Sequence, residues 1–138
     1  MKQDDNDTGC ESYPGNLDKD CTFTWDDTFN FVASLNAANH AGGGWRVPNV
    51  KELQSIVNYQ NFLPAGSEAF HDTEGEGECV AGCTVDACSC TAASSLYWSS
   101  TSYAFAPVDA WLVDFASGDV FDGSKGNGRR VRAVRGGR

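Results

Sequence analysis

Six cysteines are the most reactive side chains of this 138-residue chain. Four thiolates could hold a structural zinc ion, but these lack the paired C-x-x-C spacing of zinc ribbons and knuckles. A glycine-rich chain with this many cysteines is typical of an oxidised extracellular protein, so we expect disulfides rather than metal. One bridge closes the N-terminal segment, and the pairing of the other four is open among three connectivities. The N-terminal pair is Cys10 and Cys21, and the later four are Cys79, Cys83, Cys88 and Cys90.

Catalysis is not expected. His40 and His71 are the two histidines, and neither neighbours a convincing nucleophile. Ser99 and Ser100 fall in a predicted strand without the glycines of a nucleophile elbow. The sequence therefore favours a binding protein over an enzyme.

Three carboxylates near a predicted hairpin, Asp114, Asp119 and Asp122, are candidate calcium ligands, because calcium prefers several oxygen ligands gathered from a loop. No spaced calcium-loop motif accompanies them, which favours a solvated turn rich in aspartate. We expect no cofactor, with calcium as the alternative.

A basic loop leads into the last predicted strand and contains Lys125, Arg129 and Arg130 with glycines between them. Guanidinium groups bind sulfate or carboxylate through paired hydrogen bonds, so these three residues are candidate ligand contacts. Pairing with the acidic surface of the protein is an equally open interpretation.

Aromatic side chains provide the second set of candidate contacts. Tyr103 and Phe105 follow a predicted strand and fit no core pattern, so we expect a ligand surface over the stretch from Tyr103 to Asp109. The four tryptophans lie at positions that predict packing instead: Trp25, Trp45, Trp98 and Trp111.

The formal net charge of −9 argues against nucleic acid as a partner, since phosphate binding needs a basic face. It also opposes sulfated polysaccharides, which would need a local basic patch. No apolar run approaches the length of a membrane span, about 18 residues. We expect a secreted or cell-surface protein whose leader has been removed.

Two helices are predicted before a long loop. The first runs from about Trp25 to Asn39, capped by Thr24 with Asp27 and ended by glycines 42–44. The three- and four-residue spacing of Trp25, Phe29, Val32 and Leu35 or Asn36 predicts that these residues share one face of the helix.

The second helix begins after Asn49, which has capping-box spacing to Glu52, and ends near Tyr59. Between the helices, Pro48 predicts an extended Val47.

Strand patterns follow the loop at 96–100, 110–115, 119–121 and 130–135, with a hairpin turn at 116–119. In the second of these strands, alternate residues Trp111, Val113 and Phe115 predict one buried side.

This order of elements predicts an α+β fold with two helices packed on a small antiparallel sheet. We expect residues 1–22 to form an irregular N-terminal segment and residues 23–138 to form a single domain with a long disulfide-stapled loop.

The sequence resembles the C-terminal domain family of Legionella collagen-like proteins. The resemblance is carried by five motifs: Gly44-Trp45-Arg46-Val47-Pro48-Asn49, Lys51-Glu52-Leu53, Tyr97-Trp98-Ser99-Ser100-Thr101, Trp111-Leu112-Val113-Asp114-Phe115 and Val131-Arg132-Ala133-Val134-Arg135-Gly136. It implies a C-type-lectin-like fold and a place at the end of surface adhesins, some of which trimerise and bind sulfated glycosaminoglycans. Arg46 and Arg132 lie inside these motifs and are expected to be structural.

The leading hypothesis is an extracellular recognition domain of a bacterial surface or secreted protein, which binds glycans or a protein partner through loops on a rigid scaffold. The glycan could include sulfated polysaccharide. The alternative is a structural subunit or oligomerisation cap, for example a trimer, of a surface fibre or envelope assembly. A third hypothesis is a binding protein whose loops are genetically diversified.

Overall fold

The computed structural model describes residues 22–39, 42–62, 65–66 and 95–136. Within them the chain forms two helices and antiparallel strands, which confirms the predicted α+β class. The elements in chain order are α1 (Trp25–Ala37), β1 (Trp45–Arg46), α2 (Val50–Gln54), β2 (Leu96–Ser102), β3 (Asp109–Asp114), β4 (Val120–Ser124) and β5 (Val134–Arg135). The predictions made for all six cysteines and for His40 and His71 lie outside the described residues.

Helix α1 begins where the capping pattern predicts. The Thr24 hydroxyl accepts a hydrogen bond from the Asp27 amide at 3.3 Å and donates one to the Asp27 carboxylate at 2.7 Å. The helix ends at Ala37, short of the predicted Asn39, because Asn39 adopts a left-handed backbone with φ of 50°. Asparagine tolerates that conformation better than most residues, so it stops the helix before the glycines do.

The inward face of α1 differs from the predicted one. Thr28, Phe31 and Val32 are buried, and Phe31 stacks on Phe23 with ring centroids 4.8 Å apart. Phe29, predicted to share a face with Val32, is 36% exposed. The other predicted residues do pack inward, since Val32 is buried and Leu35 and Trp25 are partly buried against hydrophobic clusters, so the prediction was wrong at Phe29.

Strand β1 was not predicted. It pairs with β5, with Trp45 opposite Arg135 and Arg46 opposite Val134. The Asn36 side chain holds β1 against α1, donating to the Trp45 carbonyl and accepting from the Trp45 amide, both at 2.8 Å. The core between these elements consists of Phe23, Phe31, Val32, Trp45, Val47, Val131 and Ala133.

Helix α2 opens with the predicted capping box. The Glu52 amide donates to Asn49 Oδ1, and the Asn49 amide donates to Glu52 Oε2, both at 2.9 Å. The predicted end near Tyr59 was wrong, because the helix ends at Gln54. Val57 instead forms an antiparallel bridge with Gly66, a contact that no local pattern announces.

Strands β2, β3 and β4 form a three-stranded sheet in that order, and both of its faces contribute to the core. The prediction of one buried side was therefore incomplete, since Ala110 and Leu112, on the other side of β3, are fully buried. One face packs against α2 through Leu53, Ile56, Tyr97, Val113 and Phe115, and the other holds Trp98, Ala110 and Leu112 with half-buried Trp25 and Leu96.

The predicted hairpin turn between β3 and β4 is confirmed. Asp114 Oδ1 accepts from the Ala116 amide at 2.7 Å, and the Gly118 amide donates to the Asp114 carbonyl at 2.7 Å. Gly118 has a φ of +84°, a backbone conformation that favours glycine.

The last predicted strand is interrupted. Arg129 bridges Phe23 and Arg130 bridges Tyr97, and regular pairing resumes only at β5. The segment crosses from the edge of β2 to β1, so no single neighbour runs along its whole length. Arg132 is 1% exposed within this crossing, in keeping with its predicted structural role.

Candidate functional site

The connection between β2 and β3, residues 103–108, is a fixed loop. The Tyr103 amide donates to the Asp109 carbonyl at 3.0 Å, and the Asp109 amide donates to the Ala106 carbonyl at 2.9 Å. From the other side, the Lys125 amide donates to the Val108 carbonyl at 3.0 Å. These bonds hold both ends of the loop to the sheet.

This loop nevertheless presents large apolar side chains to solvent. Phe105 is 90% exposed and Val108 is 71% exposed. The Tyr103 ring lies 5.8 Å from the Phe105 ring and 5.1 Å from the Trp111 ring, both in edge-to-face orientation. We call Tyr103, Phe105 and Trp111 the aromatic platform.

Trp111 departs from its predicted core position because it is only half-buried. It shares one face of β3 with Asp109 and Val113, since alternate residues of a strand point the same way. Helix α2 covers this face around Val113. Trp111 lies further along the strand, where the Tyr103 ring contacts it.

Asp122 is the cross-strand partner of Trp111, so its side chain lies beside the tryptophan on the same face. Asp109 is on that face as well, opposite Ser124. The aromatic platform is therefore flanked by two carboxylates. Of these two carboxylates, Asp109 is predicted from the sequence as a ligand contact and Asp122 only as a calcium candidate.

Lys125, a predicted ligand contact, hydrogen-bonds to the 103–108 loop and to the end of β2. Its ammonium donates to Ser102 Oγ at 2.8 Å and to the Pro107 carbonyl at 2.9 Å. The same ammonium lies 4.0 Å from the centre of the Trp25 ring. A cation over an aromatic face with two hydrogen-bond acceptors has most of its donors occupied.

The tryptophans divide into two pairs. Trp45 and Trp98 are buried, as predicted, and Trp98 Nε1 donates to the Phe23 carbonyl at 3.0 Å. Trp25 is half-buried like Trp111, and its Nε1 donates to the Ser99 carbonyl at 2.8 Å.

The two predicted arginine contacts border an open depression of about 180 Å³. Arg129 Nη1 donates to the Gly128 carbonyl at 2.7 Å, and Arg129 Nε is buried without a hydrogen-bond partner among the described residues. The depression is lined by Thr22, Ser95, Leu96, Gly128, Arg129 and Arg130.

The arginines and the aromatic platform are at opposite ends of β2. The Arg130 amide donates to the Leu96 carbonyl at the start of that strand, whereas Tyr103 follows its last residue. At about 3.3 Å per residue, the seven residue steps from Leu96 to Tyr103 correspond to a separation of about 23 Å. The structure therefore does not combine the predicted aromatic and arginine contacts into one site.

Comparison with known families identifies the chain. The family model described as the Lcl C-terminal domain matches residues 3–135. This protein belongs to the Lcl C-terminal domain family. No curated protein matches the chain.

The candidate calcium ligands of this Lcl C-terminal domain are not gathered at one point. Asp119 accepts from the Ser117 hydroxyl at 2.8 Å, and Asp114 accepts from the Ala116 amide. Asp122 lies on the opposite face of the sheet from Asp114 because of its register with Trp111. Among the described residues, no group of three histidine, cysteine or acidic side chains could hold a metal ion.

Two motif residues of the Lcl C-terminal domain form an ion pair away from the loops. Arg46 Nη1 donates to Glu52 Oε2 at 2.7 Å, Arg46 Nη2 donates to Glu52 Oε1 at 2.5 Å, and Arg46 Nε donates to the Gly136 carbonyl at 3.0 Å. The Arg46 hydrogen bonds, more than that from the Asn49 amide, hold the pKa of Glu52 below its usual value. This pair ties β1, α2 and the C-terminal segment together, in keeping with the structural role predicted for Arg46.

Neither α1 nor α2, nor any other helix in the described ranges, is long and apolar enough to span a bilayer.

Proposed function

We propose that this Lcl C-terminal domain is an extracellular recognition domain of a bacterial surface or secreted protein, which binds a glycan or a protein partner at the aromatic platform. The exposure of Phe105 on a hydrogen-bonded loop supports the proposal most directly. Burying a phenylalanine side chain releases about 1.5–3 kcal/mol, so keeping it in water on an ordered loop forgoes that stabilisation. A ligand that covers Phe105 would gain this free energy on binding, which is the behaviour expected of a binding loop on a rigid scaffold.

The lectin-like fold is part of the same proposal. Two helices precede a three-stranded antiparallel sheet, and the chain returns at its C-terminal end to pair with β1. This arrangement supports a scaffold that holds loops at its rim while its core stays closed. The disulfides remain a prediction, and thiol titration before and after denaturation tests it; reaction of all six cysteines without reductant would contradict it.

Binding without catalysis is also proposed. The aromatic platform consists of rings, and because a carboxylate pair of the kind that flanks it, Asp109 and Asp122, serves as acid and base in glycoside hydrolysis, this part of the proposal needs its own test. A hydrolase assay on every glycan that binds is the direct check. Turnover of a bound glycan would overturn this part of the proposal.

The experiment is a glycan-array and surface-protein binding screen of the oxidised protein, with and without calcium. Phe105→Ala should weaken binding by about 10-fold through loss of the exposed ring, and Phe62→Ala is the matched control because Phe62 is 71% exposed in a different loop. Arg129→Ala/Arg130→Ala tests the depression separately. Binding that Phe105→Ala leaves unchanged would remove the aromatic platform from the proposal.

Self-assembly is a second candidate function, favoured by β4. This strand is at the edge of the described three-stranded sheet, and Phe121 on it is 39% exposed. An open strand edge is a template for pairing with another chain. Light scattering after size exclusion should give an oligomer that Phe121→Lys dissociates, whereas a monomer at all concentrations would eliminate this candidate.

A further inference from the structure

We infer that the aromatic platform takes an uncharged pyranose ring, and that sulfated polysaccharides are not its ligands. The inference rests on the proposed recognition function and narrows it to one class of ligand. It depends on three features of the described residues: the orientation of the rings, the charges beside them and the existing contacts of the Lys125 ammonium.

The rings offer apolar surfaces that are steeply inclined to one another. Tyr103 lies edge-on to Trp111 with an interplanar angle of 82° and to Phe105 with one of 61°. A pyranose has one face of C–H bonds that packs on an aromatic ring and hydroxyls that project from its rim. The 90% exposed Phe105 side chain is free to cover such a face.

The charges beside the rings are negative. Along β3 and β4, the residues on the Trp111 face are Asp109, Trp111, Val113, Val120, Asp122 and Ser124. Both charged members are carboxylates, and neither forms a hydrogen bond or ion pair through its side chain in the described structure. A carboxylate with open acceptor positions binds sugar hydroxyls through charge-assisted hydrogen bonds and repels a sulfate.

The nearest lysine does not reverse this charge. The Lys125 ammonium is already held by Ser102, Pro107 and the Trp25 ring. The net charge of −9 adds a long-range repulsion toward any polyanion, and salt screens it only beyond about 10 Å at 0.1 M. The arginines that could attract sulfate are at the far end of β2.

The test compares two kinds of probe by calorimetry, a panel of neutral hexose oligosaccharides and a heparin-type sulfated polysaccharide. We expect at least one neutral oligosaccharide to bind, with an affinity that changes little between low and high salt. Asp122→Asn should weaken this binding by about 5-fold, since a hydrogen bond to a charged acceptor is roughly twice as strong as a neutral one. Phe105→Ala should weaken it by about 10-fold through loss of the packed face.

Asp122→Asn separates the two ligand classes by the sign of its effect. It weakens binding of a hydroxyl donor but strengthens binding of a polyanion by removing a repulsive charge. Asp26→Asn is the matched control, because Asp26 is an exposed carboxylate in the first turn of α1. Unchanged thermal midpoints for both variants show that the effect is on binding.

The outcomes distinguish failure of this inference from failure of the proposed recognition function. Binding of the sulfated polysaccharide that needs Phe105 and is strengthened by Asp122→Asn would overturn the inference and leave the proposed recognition function standing. Binding of a protein partner alone would do the same. Failure of every glycan and surface protein to bind would overturn both.

Discussion

Replacing Gly118 with alanine tests how the β3–β4 hairpin packs against the chain that follows α2. Gly118 has a φ of +84°, and a Cβ placed there would lie 2.7 Å from Val57 Cγ1. It would also lie 3.3 Å from Tyr59 Cε1 and 3.4 Å from Ala65 Cβ. Since carbon atoms do not approach to 2.7 Å, either the turn or Val57 must move.

The loss in the free energy of unfolding that we expect for Gly118→Ala has two contributions. A left-handed backbone costs an alanine about 1–2 kcal/mol, and displacing a packed neighbour adds about 1–3 kcal/mol. Gly118→Ala should therefore lower the free energy of unfolding by about 2–5 kcal/mol. Gly44→Ala isolates the first contribution, because Gly44 has a φ of +77° and no heavy atom would lie within 4 Å of its new Cβ.

Equilibrium unfolding in urea, followed by tryptophan fluorescence without reductant, measures both variants. With a slope of about 1–3 kcal/mol per M, a difference of about 2 kcal/mol moves the midpoint by about 1 M. Gly118→Ala should fall below Gly44→Ala at an unchanged slope. Equal losses in the two variants would refute the contact between the hairpin and Val57.

Three further substitutions test the Arg46–Glu52 ion pair, the hydrogen bonds between Asn36 and Trp45, and the exposure of the Phe105 ring. Glu52→Gln removes the charge that Arg46 stabilises. Because the pKa of Glu52 is lowered in the folded protein, the ion pair stabilises the fold at pH values above the unfolded carboxyl pKa of about 4.3. This contribution is lost as the pH falls through the lower pKa of the folded state. The variant should lose about 0.5–1 kcal/mol at pH 7, discounted for solvent exposure, and show a shallower acid decline than the wild type; parallel acid curves would contradict this. Asn36→Ala removes both hydrogen bonds to Trp45 and should lower the free energy of unfolding by about 1–3 kcal/mol, measured by thermal or urea unfolding; a loss near zero would show that these two bonds do not stabilise the contact between α1 and β1. Phe105→Ala should leave stability within about 0.5 kcal/mol, because the side chain is 90% exposed, and a larger loss would show that the loop depends on that ring for its packing.

The elements that the sequence predicted well are those defined by neighbours along the chain. Thr24 with Asp27, and Asn49 with Glu52, announce helix starts because capping depends on residues three apart. The β3–β4 turn follows from Gly118, whose backbone conformation is local. Helix ends were less predictable, since the distant partner of Val57 stops the run that its apolar spacing would continue.

The elements that the sequence did not predict depend on distant partners. Strand β1 forms because β5 pairs with it and the Asn36 side chain hydrogen-bonds to it. Its two residues are too few to show an alternating strand pattern in the sequence. The candidate site shows the same limit, because the sequence predicts Lys125 as a ligand contact whereas its ammonium donates to the Pro107 carbonyl, 18 residues away along the chain. Asp122 and Trp111 become neighbours only through the register of the hairpin, although the alternation of Asp109 with Trp111 was visible in the sequence.

The sheet itself explains why affinity and stability should vary independently in this domain. One face is closed by Trp98, Leu112 and their neighbours, and α2 closes the other face only around Val113. The remaining end of that face is held in shape by backbone hydrogen bonds and by the Lys125 ammonium, neither of which requires the loop side chains to pack. Substitutions at the exposed ring and at the exposed Asp122 carboxylate can therefore change what the domain binds while the hydrophobic clusters that determine its fold stay the same.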